Sequence, residues 1–82
     1  MYEIVFIDKA KQQFKKLDKQ IQERIWAVFE RIKVNPNNFV EKLIGDKGYK
    51  LRLGDYRVFL DIDHNKLIIL ILKFGHRKNV YK

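Results

Sequence analysis

The segment Tyr49-Lys50-Leu51-Arg52-Leu53-Gly54-Asp55-Tyr56-Arg57-Val58-Phe59 constrains the fold of this chain more than any other. Two runs of strand-forming residues flank a Gly-Asp pair, and a two-residue loop that begins with glycine is a strong hairpin signal. With Gly54 and Asp55 at the centre of the turn, Leu53 is expected opposite Tyr56, Arg52 opposite Arg57 and Leu51 opposite Val58. Side chains alternate between faces along a strand, so Lys50 shares the face on which the two arginines meet. Like charges directly opposite each other destabilise a sheet. The arrangement needs an anion or a flanking acid to relieve it, and function is expected here.

Length and composition bound the rest. Eighty-two residues, 46% of them hydrophobic, suffice for one domain over residues 1–82 with a single modest core. The chain has no cysteine, which excludes disulfides, thiolate metal sites and thiol nucleophiles. Its start, Met1-Tyr2-Glu3-Ile4, lacks the basic region and apolar run of a secretion signal. The longest apolar run, Leu67 to Leu72, is too short to span a bilayer. A soluble, cytoplasmic domain with no membrane partner is expected. Eighteen Lys and Arg against ten acids give a formal net charge of +8, an excess that points to a polyanionic partner, nucleic acid or an acidic protein segment.

Residues 2–7 read as a first strand. Asp8 is placed to cap a short helix carrying Ala10, Phe14 and Leu17 at i, i+4 and i+7. Asp18 is a second capping candidate, followed by the amphipathic stripe Ile21, Ile25, Val28, Phe29 and Ile32. The Asn35-Pro36-Asn37-Asn38 cluster ends that helix. After a loop from Phe39 to Gly48, with turn residues Gly45, Asp46 and Gly48, strands are expected over 49–53, 56–62 and 67–74. Asp63-His64-Asn65-Lys66 forms the second turn. The last strand is apolar on both faces, which predicts a central strand covered on both sides. The order βααβββ defines an α+β domain, two N-terminal helices packed on a mainly antiparallel sheet.

Acids give little basis for a metal centre. Asp61, Asp63 and His64 are close in sequence but sit at a turn that favours such residues, and a divalent cation needs carboxylates from several elements. No phosphate-binding glycine loop is present. No metal or cofactor is therefore expected. The basic constellation is stronger: Lys50, Arg52 and Arg57 on the hairpin, then Arg77 between His76 and Lys78 just after the last strand, with Tyr81 near the end. Guanidinium groups grip phosphate in a bidentate manner and stabilise the charge of a pentacovalent transition state. In RNA the 2′-OH is an internal nucleophile, so such a set can work without metal. Tyr81, Phe59 or Phe74 could stack on unpaired bases. A plainer reading pairs Arg52 and Arg57 with Asp55, Asp61 or Glu41 as surface ion pairs, leaves His76 structural and has Tyr56 packing. Trp26, off the main helical stripe, is either second-face core or part of an exposed apolar patch.

With those residues in place, the chain resembles the RelE/ParE superfamily of toxins from toxin–antitoxin modules, and the RelE branch most closely. The resemblance runs over nearly the whole chain and rests on the order βααβββ, the Gly54-Asp55-Tyr56-Arg57 hairpin and the ending Phe74-Gly75-His76-Arg77-Lys78-Asn79-Val80-Tyr81. It implies a ribosome-dependent mRNA endonuclease held inactive by an antitoxin. By position it implies Lys50 as base or charge stabiliser beside Arg52, Arg57 on the scissile phosphate, and Arg77 as transition-state stabiliser or acid. Tyr81 is implied as the aromatic that stacks on, or acts at, the cleaved nucleotide. His76, Lys78 and Lys82 are expected to add RNA contacts. Arg52 stands where many relatives carry Lys, and a guanidinium does not readily act as a base. His76 stands where some have Lys and could share the acid–base work, and the interval from Arg77 to Tyr81 is short.

The implied partners are a RelB-like antitoxin, the ribosome and mRNA. The apolar helix stripe is needed inside the fold, so the antitoxin is expected at the sheet edge and near the tail. ParE-branch relatives poison DNA gyrase with the same fold, and an inactive homologue that only binds its antitoxin is a further alternative. The full set Lys50, Arg52, Arg57, Arg77 and Tyr81 favours RNA cleavage.

Overall fold

The computed structural model describes residues 1–45 and 48–76. Strand β1 (Glu3–Phe6) leads into helices α1 (Asp8–Lys15) and α2 (Lys19–Ile32), and Pro36–Asn38 form a 3-10 turn. Four strands follow: β2 (Glu41–Lys42), β3 (Tyr49–Leu53), β4 (Tyr56–Asp63) and β5 (Ile68–His76). They form one five-stranded sheet in the order β1-β5-β4-β3-β2. β1 runs parallel to β5 and the other neighbours are antiparallel. The α+β class and the central position of the last strand are as expected. The sequence reading missed β2, whose two residues fall inside the stretch taken as loop.

The hairpin has the expected register: Leu51↔Val58, Arg52↔Arg57 and Leu53↔Tyr56. Gly54 adopts φ 60°, while Asp55 is not in the positive-φ region. Glycine first with positive φ is the pattern of the II′ turn, whose twist matches that of the flanking strands. A side chain at Gly54 would be strained by that φ, and its Cβ would lie 3.6 Å from the Arg24 guanidinium of α2.

Alternation sorts the sheet into two faces. Leu51, Val58, Leu60, Ile62, Ile69, Ile71 and Phe74 are buried against the helices, which contribute Ala10, Ile25, Phe29 and Ile32. Phe6, Phe14, Trp26, Phe29 and Phe74 form a continuous aromatic cluster, with Phe6 stacked on Trp26 at 6.0 Å and on Phe74 at 6.1 Å. Edge-to-face and offset contacts of this kind add to the area each ring buries. Trp26 packs on Phe6 yet stays 41% exposed, so both readings of that residue hold in part. The sequence-based expectation for β5 needs correction. Among the described residues only one of its faces is covered, and Ile68, Leu70 and Leu72 are half-buried.

The helix junction is held differently from the expectation. Asp8 is the first helical residue, after Ile7 at the N-cap, and Asp18 occupies the N-cap of α2. Neither N-cap makes a side-chain capping bond. Instead Gln22 Nε2 donates to the carbonyls of Phe14 (2.9 Å), Lys15 (3.4 Å) and Leu17 (3.0 Å), satisfying the open C-terminal end of α1 from the next helix. Asp63 is a turn residue: its Oδ1 accepts from the backbone N–H groups of Asn65 and Lys66, both at 3.0 Å.

Candidate nucleic-acid interface

The face of the sheet away from the helices carries the charge. Register places Glu41, Lys50, Phe59 and Lys73 in one row across β2, β3, β4 and β5. The next row, toward the hairpin turn, is Arg52, Arg57 and Gly75. Lys50, Arg52, Arg57 and Lys73 thus gather on two adjacent rows, as the sequence predicts for the first three. Arg52 is exposed and has no ion-pair partner among the described residues, whereas Lys50 Nζ lies 3.8 Å from Glu41 Oε2. At the other end of the same face the charge reverses, with Asp61 and Asp63 on β4 and Glu3 on β1. Among the described residues the face is therefore polarised, positive at its hairpin end and with Lys66 only partly offsetting the carboxylates at the other.

Lys73 was not legible as a site residue, and the reason is a bulge. Pairing runs Phe59↔Lys73 and then Leu60↔Ile71, so Leu72 has no partner on β4. Ile69 and Ile71 point to the core, and unbroken alternation would carry Lys73 there too. The extra residue reverses the phase, sending Lys73 out and Phe74 in. Its one trace in the sequence is a lysine where the Ile69, Ile71 alternation calls for an apolar residue, with Phe74 directly after it. Phe74 is consequently only 7% exposed, which removes it as a base-stacking candidate.

A polar clip from α1 secures that stretch of β5. Pairing with β1 ends at Phe6↔Ile71, and beyond it the Phe74 N–H is met by Gln13 Oε1 at 2.8 Å. Gln13→Leu should leave this part-buried N–H unsatisfied and cost about 1–3 kcal/mol. Urea denaturation of the variant measures this, and amide exchange should quicken first around Phe74.

Phe59 stands on the open face with the Lys73 Nζ 4.8 Å from its ring centroid. His76 behaves differently. It pairs with Tyr56, and their rings meet edge to face at 4.9 Å. The period of two puts both on the helix side of the sheet, opposite Arg52 and Arg57. Tyr56 packs, as expected. Arg77, Lys78, Tyr81 and Lys82, and the turn residue Asp46, lie outside the described residues. Among the described residues no three His, Cys, Asp or Glu side chains converge as a metal site would require, and no helix is long and apolar enough to cross a membrane.

Two helices on one face of a five-stranded mixed sheet, with cations gathered on the open face at the β3–β4 hairpin, are the arrangement that the resemblance to the RelE/ParE superfamily implies. The chain belongs to the family described as ParE toxin of type II toxin–antitoxin system, parDE, whose model matches residues 4–81. Among solved structures, it is similar to the toxin–antitoxin complex RelBE2 from Mycobacterium tuberculosis, with TM-score 0.85 and 24% identity over 93% of this chain and 98% of that one. The isolated E. coli RelE toxin matches with TM-score 0.84 and 23% identity over 99% of this chain and 92% of that one. The archaeal RelE–RelB complex from Pyrococcus horikoshii OT3 matches with TM-score 0.77 and 25% identity over 93% and 94%. No curated protein matches significantly. The family model carries the ParE description while the structural likenesses are to RelE; both support one superfamily and one fold, and neither names the target.

Proposed function

We propose that this toxin is a ribosome-dependent, metal-independent mRNA endonuclease that inhibits translation, and that a RelB-like antitoxin restrains it. The observation that carries the reading is the direct pairing of Arg52 with Arg57 on the open face, flanked by Lys50 and Lys73. Two guanidinium groups that face each other across the strands can share one anion, and a phosphodiester is such an anion. Cleavage would proceed by attack of a ribose 2′-oxygen on the adjacent phosphorus while the bond to the 5′-oxygen breaks. The products are a 2′,3′-cyclic phosphate and a 5′-hydroxyl. One proton leaves the 2′-OH and one is delivered to the departing 5′-oxygen.

In this scheme Arg52 and Arg57 hold the phosphate and stabilise its developing charge. Lys50 serves as base or as a further charge stabiliser. Arg77 and Tyr81 take the roles implied by resemblance, stabiliser or acid and stacking aromatic, and Lys78 and Lys82 add backbone contacts. His76, on the helix side of the sheet, is not placed to join the hairpin arginines at the phosphate. The antitoxin partner is supported by the RelB–RelE complexes among the similar structures. Its acids would compete for the cationic rows.

The test is end-mapping by primer extension in a translating extract supplied with the purified toxin. New 5′ ends within translated mRNA are expected. Inhibition of translation without such ends would contradict the reading. The ParE description of the family favours a second reading, a gyrase poison. That reading requires gyrase cleavage complexes in a supercoiling assay, and predicts that Arg52→Gln leaves toxicity intact.

Glu41 supplies a smaller prediction. Its carboxylate partly neutralises Lys50 across β2–β3. Glu41→Gln should tighten binding of single-stranded RNA by roughly two- to fivefold, the scale of one exposed ion pair. Fluorescence anisotropy at low salt measures it, and raising the salt should shrink the gain.

A further inference from the structure

We propose that Phe59, between Lys50 and Lys73, is a stacking platform for one unpaired RNA base beside the phosphate held by Arg52 and Arg57; this rests on the RNA-cleavage reading given above. On the open face of β4 the residues are Arg57, Phe59, Asp61 and Asp63. Phe59 alone among them is apolar, and it stays half-buried in a row whose other members are Glu41, Lys50 and Lys73. The core does not need this ring, since Val58 and Leu60 fill the opposite face. Its π-face can serve a ligand that is both aromatic and anionic, and a nucleotide is both.

Spacing supports the assignment. Arg57 and Phe59 are two residues apart on one face, a separation of about 7 Å along the strand, so a phosphate at the arginines and a neighbouring base on the ring can be held together. Beyond Phe59 the next residue on that face is Asp61, and beyond that Asp63. Their negative charge ends the footprint, which is confined to the two rows nearest the hairpin. Lys73 Nζ covers the ring at 4.8 Å, but this does not close the site. An exposed ammonium–ring contact is weaker than a base–aromatic stack, so a base displaces it. The freed ammonium is then placed to meet a phosphate. Bases inside a duplex already have both faces stacked, so the platform selects single-stranded RNA, with little discrimination among the bases.

Two fluorescent probes of about eight nucleotides test this with the purified toxin. Both carry 2′-O-methyl groups to block cleavage. One is ordinary single-stranded RNA and the other has the same backbone without bases. Phe59→Leu should weaken binding of the base-bearing probe by about 5- to 100-fold, the loss of one stack, and leave the abasic probe within about twofold. Phe59→Tyr, which keeps the ring, should bind both as the parent does. Arg52→Gln should weaken both probes alike. If Phe59→Leu leaves the base-bearing probe unchanged, or weakens both probes equally, while Arg52→Gln still weakens both, the platform is overturned and the RNA reading stands. If the parent protein binds neither probe, the platform falls, while the cleavage reading is decided separately by end-mapping in the translating extract.

Discussion

Arg57→Gln should lower the rate of mRNA cleavage by about 10²–10³-fold, the usual cost of removing one preorganised charge stabiliser from a phosphate transition state. Arg52→Gln should lower it by a comparable factor. The two variants also report on the cost of building the site. Arg52 and Arg57 are direct cross-strand partners, and like charges so placed are destabilising. Arg52 is exposed and has no ion-pair partner among the described residues. Its replacement by neutral glutamine should therefore leave stability unchanged or raise it by a few tenths of a kcal/mol, even as activity collapses. Cleavage rates in a translating extract and urea midpoints of the same preparations supply both numbers. A surface residue whose loss destroys activity and relieves the fold belongs to the site, because stability sacrificed locally is a mark of function. If Arg52 were only a structural surface residue, activity would survive the change.

Phe29→Ala should cost about 3–5 kcal/mol. Phe29 is fully buried on α2 and meets Phe6, Trp26 and Phe74 at ring-centroid distances of 5.9, 5.8 and 6.4 Å. Truncation opens a cavity among α2, β1 and β5, which surrounding side chains cannot fill without losing their own contacts. Domains of this size have total stabilities of about 5–15 kcal/mol, so the loss takes a large share, and the variant should be partly unfolded at 37 °C. Urea denaturation followed by far-UV circular dichroism measures the effect. Phe29→Leu, which fills most of the volume, should recover most of it. Because Phe74 contacts both Phe29 and Phe6, the cluster also fixes the phase of β5 and, through it, the outward position of Lys73.

The hairpin was the most legible part of the fold because its turn chemistry is local. Gly54 admits the positive φ that a two-residue loop needs, and register then follows without any long-range information. The helices were legible for a similar reason: Ile25, Phe29 and Ile32 keep helical spacing and all three are buried. What escaped the sequence depends on contacts between distant segments. β2 is two residues long and exists by pairing with β3, so no intrinsic propensity marks it. The capping role of Gln22 and the clip made by Gln13 require α1 and β5 to be in place already. The bulge at Leu72 is the consequential case. A one-residue slip exchanged the roles of neighbouring residues, so Phe74 looked available for a ligand and is core, while Lys73 went unnoticed and belongs to the cationic rows. Lys50, Arg52 and Arg57, three of the four cations on those two rows, followed from the hairpin alone.

The central claim is that the arginine pair serves attack by a ribose 2′-oxygen on its own phosphate. The most direct measurement uses a translated mRNA with a single 2′-deoxynucleotide immediately 5′ of a mapped cleavage position. No cutting is predicted at that position, undiminished cutting at neighbouring sites, and 5′-hydroxyl ends on every product. Equal cutting at the deoxy position, or products ending in 5′-phosphate, would contradict the account.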